Sequence, residues 1–340
     1  MIDQSLPLLD LHRHLDGSVR LETVIDLAQR HGIDLPAADA EGLRPHVQVV
    51  EAEPDLMTFI GKFRWLTAVL ADPAACRRVA YENVEDAARE GIDYLELRFS
   101  PLFMAAPHGL APEAVVEAVV DGAEAGARDT GVGVKLIGIV SRHLGVEAGH
   151  RELDAVLSQQ DRIVALDLAG DEARFPAAWF AGHFRRARDA GLRVTVHAGE
   201  AAGAESVWSA LRDLGADRIG HATRAREDPA LIDHLAINAV GIEMNLTSNV
   251  QTSSIPSLCD HPLRELLERG LLATINTDDP TISGIDLRHE YNVAAPEAGL
   301  SRDQIRCAQA NALEIAFLDN DERRLLQARA AASTGTAPEP

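Results

Sequence analysis

Eight short apolar runs punctuate the chain, each closing on polar residues. They span residues 6–14, 92–100, 134–141, 163–172, 193–200, 218–223, 241–249 and 272–280. Most are apolar through the middle, as strands buried on both faces should be. Between several of them lie stretches with apolar residues at helical spacing. One is 72–91, which ends at Gly91; others are 111–131, 176–191 and 261–270. Eight strands alternating with helices over 340 residues predict an α/β fold, a closed parallel (β/α)₈ barrel of the TIM type. An open doubly wound sheet is the alternative, but no glycine-rich GxGxxG turn follows the first run.

The spacing between the first two runs is unequal to the rest. Residues 15–91 are an insertion carrying DLMTFIGKFRWLTAVL, an amphipathic pattern expected to supply additional helices. Such helices either cap the barrel mouth or pack against its side. Residues 1–330 are expected to form one domain, and 331–340, small, polar and ending in APEP, a disordered tail. The core must be built from Leu, Val, Ile and Ala, because hydrophobic residues make up 46% and aromatics only 4%.

A net charge of −21 argues against nucleic acid or acidic membranes as partners. Cys76, Cys259 and Cys307 are far apart, without CxxC spacing, so neither a disulfide framework nor a cysteine metal site is expected. The start MIDQSLPLLDLHRHLDG lacks a secretory pattern, and no run reaches the ~18 apolar residues of a membrane span. The expected location is cytoplasmic.

In a barrel of this kind chemistry sits at the C-terminal ends of the strands. Those ends hold His12 and His14, His197 and Glu200, His221, and the pair Asp278–Asp279. Residues two apart in a strand face the same side, so His12 and His14 can share one cation. A third histidine on run five and an aspartate on run eight complete three nitrogens and one carboxylate, a set suited to Zn²⁺ with a position open for water. Run four, 163–168, has no lysine that could bridge two metals, so one ion per chain is the simpler expectation. His221 is placed to receive a proton from water, and Glu200 to deliver one to a substrate ring nitrogen. Asp278 and Asp279 are adjacent, so one can bind metal while the other meets substrate. The nine remaining histidines show no ligand pattern and read as surface, capping or packing residues; His143 and His261 are among them.

The set LHRHLDG, LAGDE, VHAGE, IGHA and NTDDP resembles the adenosine deaminases of the amidohydrolase superfamily, over residues 5–330 and closest to the bacterial members. The resemblance implies zinc-dependent hydrolysis of adenosine and 2′-deoxyadenosine to inosine and 2′-deoxyinosine, with ammonia released, in purine salvage. It implies zinc ligands His12, His14, His197 and Asp278, proton delivery to purine N1 by Glu200, and His221 as base toward the water that attacks C6. Asp279 would meet N7, the Gly170 N–H would meet N3, and Asp16 the ribose 5′-hydroxyl. Phe59, Ile60 and Phe63 would form an apolar lid. HLDG, rather than HxEG, favours a nucleoside over free adenine; adenine or a modified adenosine is the alternative substrate. A non-catalytic purine-binding protein is the alternative of another class, but such proteins tend to lose a ligand or the acid, and here all are present. Two departures stand out. Ala222 occupies a position where the family commonly has glycine, and the run Met244–Asn249 differs from common variants. The HxE and PCxxC signature of nucleic-acid-editing zinc deaminases is absent.

Overall fold

The computed structural model describes residues 1–333. Its strands are β1 (Leu9–His14), β2 (Tyr94–Phe99), β3 (Gly133–Ser141), β4 (Ile163–Ala169), β5 (Arg193–Ala198), β6 (Arg218–His221), β7 (Gly241–Met244) and β8 (Ala273–Ile275). Every neighbour pair from β1 through β8 is parallel, in sequence order. All eight expected runs are strands of one TIM barrel.

The seam between β8 and β1 closes in a different way from the others. Strand β8 has three residues, and the chain beyond it continues the ladder. The His14 N–H donates to the Asp278 carbonyl, and the Asp278 N–H to the His12 carbonyl, both at 2.8 Å. The Leu11 N–H donates instead to the Asn276 side-chain oxygen at 2.9 Å. Closure therefore delivers Asp278 directly beside the two histidines of β1.

Alternation along the strands sorts the interior. Leu95, Leu97, Leu166, Leu168, Val194 and Val196 join the apolar layer beneath the helices. The residues between them point inward and are charged or polar: Glu96, Arg98, Asp167, Thr195 and His197. The barrel thus encloses an ionic lattice where continuous apolar filling was expected. Arg98 pairs with Asp167 at 2.9 Å and Glu243 at 2.7 Å, and Arg218 with Glu243 at 2.7 Å and with Glu96. Phe317 plugs the bottom, its ring under the Arg218 guanidinium at 3.6 Å and its N–H donating to Glu96.

The helix Pro73–Glu90 shows how local signals set the outer ring. The Asp72 side chain accepts from the Ala75 N–H, proline holds the first turn, and Gly91 ends the helix in the left-handed conformation. The insertion divides in two. This helix packs in the outer ring against Pro112–Thr130, whereas residues 49–63 cross the mouth. The Val49 N–H donates to the Ile282 carbonyl and the Glu53 N–H to the Gln251 carbonyl, both at 2.8 Å. The last helix, Asn320–Ser333, runs past the expected tail boundary at 331; residues 334–340 lie outside the described residues. Among the described residues no helix is long and apolar enough to cross a membrane.

Candidate active site

At the C-terminal end of the barrel four side-chain atoms converge. His12 Nε2 and His14 Nε2 lie 3.1 and 3.2 Å from His197 Nε2, and 3.2 and 3.3 Å from Asp278 Oδ1. Ligands about 2.0–2.2 Å from a tetrahedral Zn²⁺ are about 3.3 Å from one another, so the spacing fits that ion. The opposite ring nitrogens test the fit further. His12 Nδ1 meets Glu243 Oε2 at 2.7 Å, and His197 Nδ1 meets Asp167 Oδ2 at 3.0 Å. Each Nδ1 therefore carries the proton, and both Nε2 lone pairs face inward, an arrangement a cation satisfies and a neighbouring imidazole does not. Ser248 Oγ donates to Asp278 Oδ2 at 2.6 Å, which leaves Oδ1 free for the centre. Burial and the Arg98 charge lower the His12 proton affinity, but Asp278 and Glu243 raise it more, and the same pull acts on any cation. Burial pushes His197 down to about 4, keeping it in the neutral form a metal needs.

His221 belongs to an overlapping quartet with His12, His197 and Asp278. Its Nε2 stands farther out, 3.9 Å from Asp278 Oδ2 and 3.7 Å from Glu200 Oε2. The tighter set is the one containing His14.

Three buried carboxyls surround this centre with oxygens that have no hydrogen-bond partner: Asp16 Oδ1, Glu200 Oε1 and Asp279 Oδ1. Burial, then the Asp278 and Glu172 charges, raises Glu200 well above the usual range. Burial, then Asp278, Asp16 and Glu200, does the same to Asp279. Burial lifts Asp16 to about 6. The loop bearing Glu200 is pinned by Glu172, which accepts from the N–H groups of Gly199, Glu200, Ala201 and Ala202 at 2.6–3.1 Å. Gly17 makes room for Asp279: a Cβ there would stand 1.7 Å from its Oδ1.

A small, partly open cavity of about 60 Å³ lies over these groups. Glu200, His221 and Asp279 form its floor with His14, His197 and Asp278, and Leu56, Phe59, Ile60 and Phe63 form its roof. Gly170 lines the wall with φ +98, where a side chain would also run into His143. His12 and Asp16 lie outside the lining, His12 beneath the ligand set and Asp16 buried beside Asp279.

Several members of the site were missed in the sequence. Asp167 and Glu243, which orient His197 and His12, and Arg98, which joins them, were passed over as parts of apolar runs. The available signal was a lone charge inside a strand otherwise buried on both faces. Asn249 and His261 were missed because their role rests on contacts between loops: Asn249 Nδ2 reaches His221 Nδ1 at 2.8 Å, and His261 Nε2 reaches Asn249 Oδ1 at 3.2 Å. The divergent run Met244–Asn249 thus faces the site through Asn245, Ser248 and Asn249. At Ala222 the burden is backbone conformation, φ +52 directly after His221 at φ +65.

The family model "Adenosine deaminase" matches residues 7–332. The chain is 59% identical over 332 residues to the adenosine deaminase of Erwinia tasmaniensis, covering 98% of this chain and all of that one. Among solved structures it is similar to an adenine deaminase from Arthrobacter aurescens, at TM-score 0.90 and 28% identity over 97% of this chain and 99% of that one. It is also similar to an amidohydrolase from Burkholderia ambifaria with bound Zn, at TM-score 0.87 and 26% identity over 98% and 91% of the two chains.

Proposed function

We infer the following chemistry for a chain that belongs to the adenosine deaminase family and is a hydrolase deaminating adenosine. The observation that carries it is the placing of two buried acids with unpaired oxygens, Glu200 and Asp279, beside a four-atom cation cage at the mouth of the barrel. Purine N1 and N7 are both acceptors, so each needs a donor. A carboxylate cannot donate, but a carboxyl kept neutral by burial can. Glu200 delivers its proton to N1 and draws electrons from C6; Asp279 donates to N7 and orients the ring. The Gly170 N–H approaches N3, and Asp16 accepts from the ribose 5′-hydroxyl.

His12, His14, His197 and Asp278 would hold one Zn²⁺, which supplies Lewis acidity that lowers the pKa of water in the site. Water adds to C6 and ammonia leaves, giving inosine from adenosine and 2′-deoxyinosine from 2′-deoxyadenosine. His221 faces the incoming oxygen. The roof Phe59, Ile60 and Phe63 excludes bulk water. The protein works in the cytoplasm on small purine nucleosides, without nucleic acid or membrane partners. The 59% identity to adenosine deaminases, against 28% to an adenine deaminase, supports adenosine over the free base.

The test is the ultraviolet change of the purine when purified protein meets adenosine, 2′-deoxyadenosine or adenine, with and without chelator. Turnover of both nucleosides, lost on chelation and regained with about one equivalent of Zn²⁺, supports the reading. Turnover of adenine in preference to adenosine overturns the substrate, and full activity in chelator overturns the metal.

A further inference from the structure

We propose that His221 acts as a hydrogen-bond donor through Nε2–H, and that His261 and Asn249 are positioning residues that fix this tautomer. The proposal rests on the deamination reading and departs from the role of base that the family resemblance implies for His221.

The chain of bonds starts at a group with no ambiguity. The backbone N–H of Leu263 can only donate, and it points at His261 Nδ1, 3.1 Å away. His261 is 4% exposed. Burial, with the Arg226 charge, pushes it down to about 3, so the ring is neutral. A neutral imidazole that accepts at Nδ1 carries its proton on Nε2. That Nε2–H faces Asn249 Oδ1 at 3.2 Å. The orientation of the Asn249 amide follows, since the reverse would set its NH₂ against another donor. Asn249 Nδ2 then donates to His221 Nδ1 at 2.8 Å, and Asn245 Nδ2 reaches the same atom at 3.3 Å. With two amide donors aimed at Nδ1, the His221 proton sits on Nε2, the nitrogen 3.7 Å from Glu200 Oε2.

Two consequences follow. An Nε2 bearing hydrogen offers no lone pair to a cation, which leaves His14 as the fourth ligand. Nor can it take a proton from water; it donates to the oxygen as that oxygen adds to C6 and gathers negative charge. The protons still balance. Water oxygen bonds to C6, the C6–N1 π pair moves to N1, and N1 takes the Glu200 proton. The Glu200 carboxylate takes one proton from the added oxygen. The remaining hydroxyl proton goes to the amino nitrogen as the C6–N bond breaks, giving ammonia and the C6 carbonyl with Glu200 restored.

The test uses zinc-loaded enzyme labelled with ¹⁵N-histidine. His221 is assigned by comparison with His221→Gln, and its tautomer is read from ring-nitrogen shifts and couplings. Expected is a proton on Nε2; a proton on Nδ1 overturns the proposal. Glutamine can present an N–H near the position of histidine Nε2, so His261→Gln should keep kcat within a few-fold and preserve the His221 signature. His261→Leu should blur the signature and lower kcat on the order of 10²-fold, the scale of one lost oxyanion donor, with KM for adenosine unchanged. Wild-type kcat in His261→Leu overturns the relay. Asn249→Asp replaces the nearer of the two amide donors, at 2.8 Å against 3.3 Å for Asn245, with an acceptor and moves the proton to Nδ1; a donor role predicts a fall in kcat, and an unchanged or raised kcat restores the base. The wild-type spectrum and Asn249→Asp decide the matter even if His261→Leu does not fold. An enzyme inert toward adenosine would remove the deamination reading while leaving the tautomer measurable.

Discussion

At the scale of single residues, the proposed chemistry asks its carboxyls to arrive with a proton, and burial favours that form. Glu200 is buried with one oxygen unpaired, and the charges nearest it are acidic. Glu200→Gln keeps the shape but gives up a transferable proton, so kcat should fall by about 10²–10⁴-fold. Zinc content and unfolding temperature should hold. Near wild-type turnover in this variant would end the role assigned to Glu200. Ala222 carries a different cost. An L-residue other than glycine in the left-handed region loses roughly 1–2 kcal/mol, and here two such residues are consecutive. Ala222→Gly should raise the unfolding midpoint by roughly 2 °C, measured by calorimetry, with little change in kcat. A lowered midpoint would show that the methyl contributes packing worth more than the strain.

At the scale of elements, the segment over the mouth sets access. The cavity of about 60 Å³ is below the ~300 Å³ and more usual for ligand sites, so seating a nucleoside requires the roof to shift outward. Phe59 and Phe63 meet edge to face at 6.4 Å, and Phe63 meets Phe103 at 5.9 Å, an aromatic run that ties the roof to the segment after β2. Phe59→Ala should raise KM for adenosine about tenfold, the loss of roughly one aromatic contact, and change kcat less. Steady-state kinetics separate the two; an unchanged KM would mean that the roof does not touch substrate. Whether the insertion capped the mouth was open in the sequence, because its amphipathic pattern suits a lid and an outer helix equally. The tertiary structure divided it, residues 49–63 tied to the loops after β7 and β8, and Pro73–Glu90 laid against the barrel.

At the scale of the whole molecule, a buried acid joins the outer ring to the barrel. Glu152, on the helix Val146–Leu157, accepts from Ser100 Oγ at 2.7 Å and from the Ser141 N–H at 2.6 Å, where β2 and β3 end. Burial lifts its carboxyl to about 7 against hydrogen bonds that pull it down. The folded state then binds this proton more tightly than the unfolded chain. Its contribution to stability is full below the ordinary glutamate range and is lost as pH rises through about 7. Glu152→Gln keeps a neutral acceptor and donor, so it should gain in unfolding temperature over wild type at pH 8 more than at pH 5. Equal differences at the two pH values would remove Glu152 as the source.

The sequence by itself determined the barrel and the candidate reacting groups. Strand ends and a period of two are local properties, and they place His12, His14, His197, Glu200, His221, Asp278 and Asp279 on one rim whatever the remaining packing. Only the tertiary structure decided which nitrogen of each histidine faces the centre. That depends on partners far away in the chain: Glu243 for His12, Asp167 for His197, and Asn249, itself held by His261, for His221. A proton's position on an imidazole follows from what the other nitrogen meets, and that is settled when the barrel closes and the loops pack.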